Sequence, residues 1–147
     1  MLIHTASEGI SLAKKLESDS AGFYEDLAQR YTKDAEIFLS IAKENKKNMV
    51  QIERVYYGVI TDAIEGGYAF NLDPGNYTLE VAIKDGAGYA DILGQAVEIE
   101  EKIIRFYTDA AEQSRSLMAD VPRAFTIVAR KRESRVPKLK ALIEMGG

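Results

Sequence analysis

An internal duplication is the feature that most constrains the fold of this chain. A glutamate stands seven residues before the second member of a Phe-Tyr pair in two places, as Glu17 before Tyr24 and as Glu100 before Tyr107. The offset from Glu17 to Glu100 equals the offset from Tyr24 to Tyr107. Self-similarity of this kind indicates that one supersecondary unit occurs twice in the chain.

A second pair of matching stretches supports the duplication. Phe38-x-x-Ile41-Ala42 in the first half corresponds to Phe125-x-x-Val128-Ala129 in the second half. The offset between these two stretches is four residues longer than that of the glutamates, so the second half has a slightly longer internal connection. Each half therefore contains two matched elements in the same order.

Helical periodicity covers most of both halves. Thr5 and Glu8 have the spacing of a capping box, which predicts that a first helix begins there. Apolar residues then recur every three to four positions, and two further helices are predicted over about residues 34–65 and 89–117. Asp120 and Pro122 suit the start of a fourth helix, within which Pro137 predicts a kink or a weakened turn.

The segment over about residues 66–88 interrupts this helical pattern. It contains three turn signals, Gly66-Gly67, Asp73-Pro74-Gly75 and Gly86-Ala87-Gly88. It is longer than a connection between adjacent helices needs to be, so we expect it to run along the bundle from one end to the other. Two helical hairpins joined in this way form a four-helix bundle with one crossover.

Composition excludes several classes of function. The net charge of −4 gives no reason to expect a nucleic acid or an anionic membrane as partner. There is no cysteine and only one histidine, His4, so neither a disulfide nor a thiol or triad site can form. We expect His4 to belong to an N-terminal tail. A signal-peptide pattern and a membrane-spanning apolar run are both absent from the sequence, so the expected location is the cytoplasm.

The duplicated pattern resembles the ferritin-like superfamily, and its rubrerythrin branch in particular. In that family the first and third helices carry a glutamate ahead of a Phe-Tyr pair, as Glu17 and Glu100 do here. The resemblance extends from about Leu12 to Ile143. It implies an all-α, ferritin-like four-helix bundle, built from two similar helical hairpins with a long crossover between helices two and three. It also implies a single domain over residues 1–147 and a homodimer, because such bundles commonly pair through helix faces.

The resemblance also shows where this sequence departs from the family. The second and fourth helices of the family carry Glu-x-x-His, and two iron or manganese ions lie between four carboxylates and two imidazoles. The corresponding positions are Asn45 and Asn48 in the second helix, and Arg132 and Arg135 in the fourth. The resemblance therefore implies that the di-metal ligand motifs are substituted.

The charges at these positions favour a neutral, metal-free site. Two negative charges, on Glu17 and Glu100, face two positive charges, on Arg132 and Arg135, so the sum is zero. A complete family site is also neutral, because four carboxylates balance two divalent ions. A guanidinium stays charged at any working pH, and two of them cannot share a pocket with two divalent cations. We therefore expect both arginines to bridge the two glutamates, with the asparagines completing the hydrogen bonds.

Other arrangements remain open at this level. Glu17 and Glu100 could be metal ligands or solvated edge residues, and the two arginines could extend to the surface. If the inward face assigned to the second and fourth helices were shifted by one residue, Glu44 or Glu133 could point inward.

These observations predict a protein that acts by binding or by assembly and has no catalytic, cofactor-binding or metal-binding residues. The alternative is a rubrerythrin-like oxidoreductase containing iron or manganese, for peroxide reduction or iron handling. Tyr24 and Tyr107 are expected to be core aromatic residues, and would lie just behind the ligands of such a centre. A third possibility is a small anion held by Arg132 and Arg135 inside the bundle.

Overall fold

The computed structural model describes residues 2–59, 68–114 and 120–146, and this part of the chain is mostly helical. Its helices are α1 (Ala6–Arg30), α2 (Ala35–Val59), α3 (Tyr89–Ser114), α4 (Asp120–Glu133) and α5 (Arg135–Gly146). Two short strands, β1 (Ile3–Thr5) and β2 (Tyr68–Leu72), and two 3-10 turns, Thr32–Asp34 and Pro74–Tyr77, are also present. None of these helices contains an apolar stretch sufficient to cross a membrane.

Helix α1 begins where the sequence predicts. The Thr5 hydroxyl accepts a hydrogen bond from the backbone N–H of Glu8 at 3.1 Å. The Glu8 carboxylate in turn accepts one from the backbone N–H of Thr5 at 3.0 Å. The capping box is therefore confirmed, and it satisfies two backbone donors that the first turn would otherwise leave unpaired.

The helices form two packed pairs. α1 packs along α2, while α3 packs against α4 and α5, and α2 contacts α4 between the pairs. The fourth helical stretch is interrupted at Ser134, between α4 and α5. Pro137 lies in the next turn and has no backbone N–H to donate to the carbonyl of Glu133, so the predicted weak turn is confirmed.

The N-terminal residues form a strand, so the expectation that His4 lies in a tail is wrong. β1 and β2 form an antiparallel two-stranded sheet in which Ile3 lies opposite Leu72. The imidazole Nδ1 of His4 lies 3.3 Å from the backbone carbonyl oxygen of Phe70, 66 positions later in the chain. A strand of three residues is too short to show the two-residue period, and its partner is distant in sequence, so local patterns did not indicate it.

The segment after β2 runs antiparallel to α3. The Gln95 side chain donates to the carbonyl of Glu80 at 2.5 Å, and Lys102 donates to the carbonyl of Thr78 at 2.8 Å. Side chains of α3 therefore pair with backbone groups that the extended segment leaves without partners. Residues 66 and 67 of the predicted crossover, and the predicted ends of the second and third helices, lie outside the described residues.

The core repeats the symmetry of the sequence. Phe38 and Phe125, the matched phenylalanines of the two halves, are both fully buried, and Ala42 and Ala129 are both buried as well. The matched helix faces thus point to one shared interior, and the polar residues on those faces must lie there too.

Candidate functional site

The six positions that the repeat singles out lie together in the bundle interior. Five of them are completely buried and the sixth is 3% exposed: Glu17, Asn45, Asn48, Glu100, Arg132 and, at 3%, Arg135. The three-residue spacing of the asparagines places both on the inner face of α2. Buried groups of this polarity are stable only when they are paired and hydrogen-bonded, so their partners decide what the site can do.

Arg132 spans the two glutamates, as predicted. Its Nε and Nη2 atoms donate to Oε2 of Glu17 at 3.0 and 2.6 Å. Its Nη1 atom donates to both carboxylate oxygens of Glu100 at 2.8 Å. Burial alone would lower the pKa of the Arg132 guanidinium, but the charges of Glu100 and Glu17 outweigh burial and raise it. Arg132 is therefore a permanent cation between two carboxylates.

Two tyrosines connect the halves crosswise. The Tyr24 hydroxyl of α1 donates to Oε2 of Glu100 at 2.8 Å, and the Tyr107 hydroxyl of α3 donates to Oε2 of Glu17 at 2.9 Å. Burial, followed by the neighbouring carboxylate charge, raises the pKa of each phenol well above its ordinary value. Both phenols therefore remain protonated donors over the whole physiological range.

The asparagines act as hydrogen-bond donors from α2. Asn48 Nδ2 donates to Oε1 of Glu17 at 3.0 Å. Asn45 Nδ2 donates to the Ser20 hydroxyl at 2.8 Å and to the backbone carbonyl of Glu17 at 3.2 Å. Their own Oδ1 atoms have no hydrogen-bond partner among the described residues. Ser20, which the sequence pattern did not single out as a site residue, also accepts from Nη2 of Arg132 at 3.1 Å.

Arg135 is placed differently from the prediction. It does not bridge both glutamates: its Nη1 atom lies 3.4 Å from Glu100, and its stronger partner is Glu44, at 2.7 Å from Nη2. The Glu44 side chain is 42% exposed, so this ion pair lies at the edge of the bundle. Glu44 was expected to point inward only if the inward face of α2 were shifted by one residue. Glu133, which the same shift would turn inward, is exposed.

A groove lies on the solvent side of Arg135. It has a volume of about 540 Å³ and runs between α2 and α5. Its apolar lining includes Ile37, Ile41 and Leu142. Its charged lining consists of two cations and two carboxylates, Arg135, Lys138, Glu36 and Glu44. Arg135 thus connects the buried network to a solvent-accessible cavity.

The donor set does not suit a di-metal centre. A guanidinium cannot ligate a cation, and Arg132 already uses Oε2 of Glu17 and both oxygens of Glu100. Within residues 2–59, 68–114 and 120–146, no group of three or more carboxylate or imidazole side chains is arranged to hold a metal ion. Iron or manganese bound as in a rubrerythrin does not fit these residues.

Comparison with known protein families, with curated proteins and with solved structures found no match.

Proposed function

We propose that this chain is a rubrerythrin-like protein of the ferritin-like superfamily in which a buried ion-pair network replaces the di-metal centre. In this proposal it acts as a non-catalytic binding or structural protein. The observation that carries the proposal is the Arg132 guanidinium, which lies between Glu17 and Glu100 and hydrogen-bonds to both.

The connectivity of the network supports a structural role. Arg132 links α4 to α1 and α3, Asn48 links α2 to α1, and the two tyrosines link α1 to α3 in both directions. A di-metal centre joins the four helices of a bundle through its ligands in a comparable way. The network thus holds the same helices together without a redox-active ion.

Metal analysis tests this proposal directly. Protein expressed in medium rich in iron and manganese should contain neither ion in stoichiometric amount. The quadruple variant Asn45→Glu, Asn48→His, Arg132→Glu, Arg135→His restores the family's ligand pattern and should gain tightly bound iron. The matched control is Asn45→Glu, Asn48→His alone, which keeps both arginines and should bind none.

Two outcomes would contradict the proposal. Stoichiometric iron or manganese in the wild-type protein would favour the oxidoreductase alternative, in peroxide reduction or iron handling. A quadruple variant that folds, judged by circular dichroism, and still takes up no iron would show that the ligand positions are misassigned.

A binding role receives support from the groove beside Arg135. The sequence suggested a small anion inside the bundle, but Arg132 is fully engaged there. In the groove the cation without a carboxylate partner among the described residues is Lys138, because Arg135 is paired with Glu44 at 2.7 Å. Sulfate should raise the melting temperature of the wild type, because a ligand that binds only the folded state stabilises it. Lys138→Gln should reduce this rise, while Lys140→Gln, which removes a charge from α5 outside the groove lining, should not.

The homodimer expected from the resemblance remains part of the proposal. Sedimentation equilibrium measures the oligomeric state. A monomer at micromolar concentration would exclude the assembly role and leave only the binding role.

A further inference from the structure

The outward face of α2 carries a continuous strip of basic and apolar side chains. Seven residues form this α2 strip, and all of them are exposed: Leu39, Lys43, Lys46, Lys47, Val50, Arg54 and Tyr57. At 3.6 residues per turn they fall within about 100° of arc, and at 1.5 Å per residue they extend over about 27 Å. None of the seven is acidic, although the chain as a whole has a net charge of −4.

The cations of the α2 strip are largely unneutralised. Lys46 lies 3.9 Å from the carboxylate of Glu25, whereas Lys43, Lys47 and Arg54 form no ion pair with any residue that the structure describes. A shallow depression of about 610 Å³ between these side chains has no acidic residue in its lining. The strip therefore presents a local positive field on an acidic protein, which the whole-chain net charge conceals.

Large apolar side chains lie among these cations. Leu39, Val50 and Tyr57 are 50%, 52% and 70% exposed. Single exposed apolar residues are ordinary, but these three lie within about 20° of arc beside four cations. The strip therefore combines basic and apolar side chains, the two residue types by which helices bind a membrane interface.

We propose that the α2 strip binds peripherally to a membrane surface that contains anionic lipids. The cations would meet the negatively charged headgroups, each contributing about a fivefold gain in partitioning, while the three apolar side chains enter the boundary of the acyl region. This proposal goes beyond the role proposed for the buried network and does not depend on it.

Other occupants suit the strip less well. A symmetric contact with a second copy would place Lys43, Lys47 and Arg54 against their own counterparts, and like charges repel. A protein partner is expected to bury about 800 Å² on each side, whereas a strip on one helix, about 27 Å by 10–12 Å, offers about 300 Å². A nucleic-acid backbone would satisfy the cations and leave Leu39 and Val50 in water.

Vesicle sedimentation with the full chain tests the proposal. The protein should sediment with vesicles of phosphatidylcholine mixed with phosphatidylserine, and should remain in solution with phosphatidylcholine alone. Binding should weaken as salt is added, because the attraction between headgroups and exposed cations is screened. Equal binding to both kinds of vesicle, or to neither, would overturn the proposal, as would tight binding to single-stranded RNA or polyglutamate without vesicle binding.

Matched variants locate the contact. Lys43→Glu with Lys47→Glu should reduce partitioning by at least about 25-fold, since each lost cation costs about fivefold. Lys84→Glu with Lys140→Glu makes the same charge change at exposed positions of the crossover and α5, and should retain most of the binding. Val50→Ser should also weaken binding at high salt, where charge contributes least. Circular dichroism should first show that both double variants are folded. If both then lose binding equally, the binding depends on net charge alone, and the proposal for the α2 strip is overturned.

Discussion

Arg132→Leu should be among the most destabilising single substitutions in this protein. In the folded state Arg132 is the only cation within hydrogen-bond reach of the Glu17 carboxylate among the described residues, whereas Glu100 also lies 3.4 Å from Arg135. Leucine would leave Glu17 buried with two neutral donors, Tyr107 and Asn48. Breaking a buried pair in this way costs about 3–5 kcal/mol, a large fraction of the 5–15 kcal/mol that stabilises a typical domain.

Urea unfolding followed by circular dichroism measures this loss, and Arg135→Leu is the matched control. Arg135 pairs mainly with Glu44, which is 42% exposed, and its loss leaves Glu100 bound to Arg132. Arg135 itself is buried, but the carboxylate that its loss would leave unpaired, Glu44, is open to solvent. The control should therefore lose less stability than Arg132→Leu, which strands a fully buried carboxylate. Equal losses in the two variants, or a loss below about 1 kcal/mol for Arg132→Leu, would refute the reasoning.

A double variant separates the charge from the packing of Arg132. Glu17→Gln combined with Arg132→Leu removes both members of the pair and leaves Glu100 with Arg135. If the stranded charge causes the loss, the double variant should be more stable than Arg132→Leu alone, because replacing both partners of a buried pair is often nearly neutral. If the double variant is no more stable, the loss comes from the cavity that leucine leaves.

Two further predictions concern pH and packing. The pKa values of Tyr24 and Tyr107 are raised in the folded state, so both phenols stabilise the fold fully at pH values below the unfolded pKa of about 10. As the pH rises above that value, the free energy of unfolding should fall by about 1.4 kcal/mol per pH unit for each tyrosine. Urea unfolding at increasing alkaline pH should show this fall, and replacing both tyrosines by phenylalanine should reduce it. Part of the fall should remain, because burial and a carboxylate partner also raise the pKa values of Tyr77 and Tyr89. A Cβ at Gly9 would lie 2.5 Å from the buried Phe70 ring, so Gly9→Ala should lower the melting temperature. Gly22→Ala, on the same helix with open space around it, should raise the free energy of unfolding by up to about 1 kcal/mol. A gain in stability for both glycine variants would show that the Phe70 ring moves aside freely.

Helical periodicity, the duplication and the family resemblance together identified most of the site. Glu17, Asn45 and Glu100 lie on faces that are otherwise apolar, and the duplication aligned those faces between the two halves. Because each inward face of a helical bundle meets the others, polar residues on such faces were expected to meet, and a balance of charge was required among them. The contact between Arg132 and both glutamates followed from these two conditions.

The partner of Arg135 could not be predicted in the same way. Glu44 lies beside the inner face of α2 rather than on it, and it reaches Arg135 because of how α2 and α5 are rotated and set against each other. Arg135 is also the first residue of α5, after the break at Ser134, so the period of α4 does not fix its position. Neither the relative placement of α2 and α5 nor the break before Arg135 is encoded in the period of one helix.

The sequence by itself determined which helix faces are buried and that the charges on them cancel, because both depend only on residue order and the 3.6-residue period. The tertiary structure decided how those charges pair. Arg132 pairs with both interior carboxylates, Arg135 pairs mainly with Glu44 at the edge of the bundle, and β1 pairs with a strand far along the chain. These choices depend on distances of a few ångströms between separate elements, over which hydrogen bonds and ion pairs form or fail.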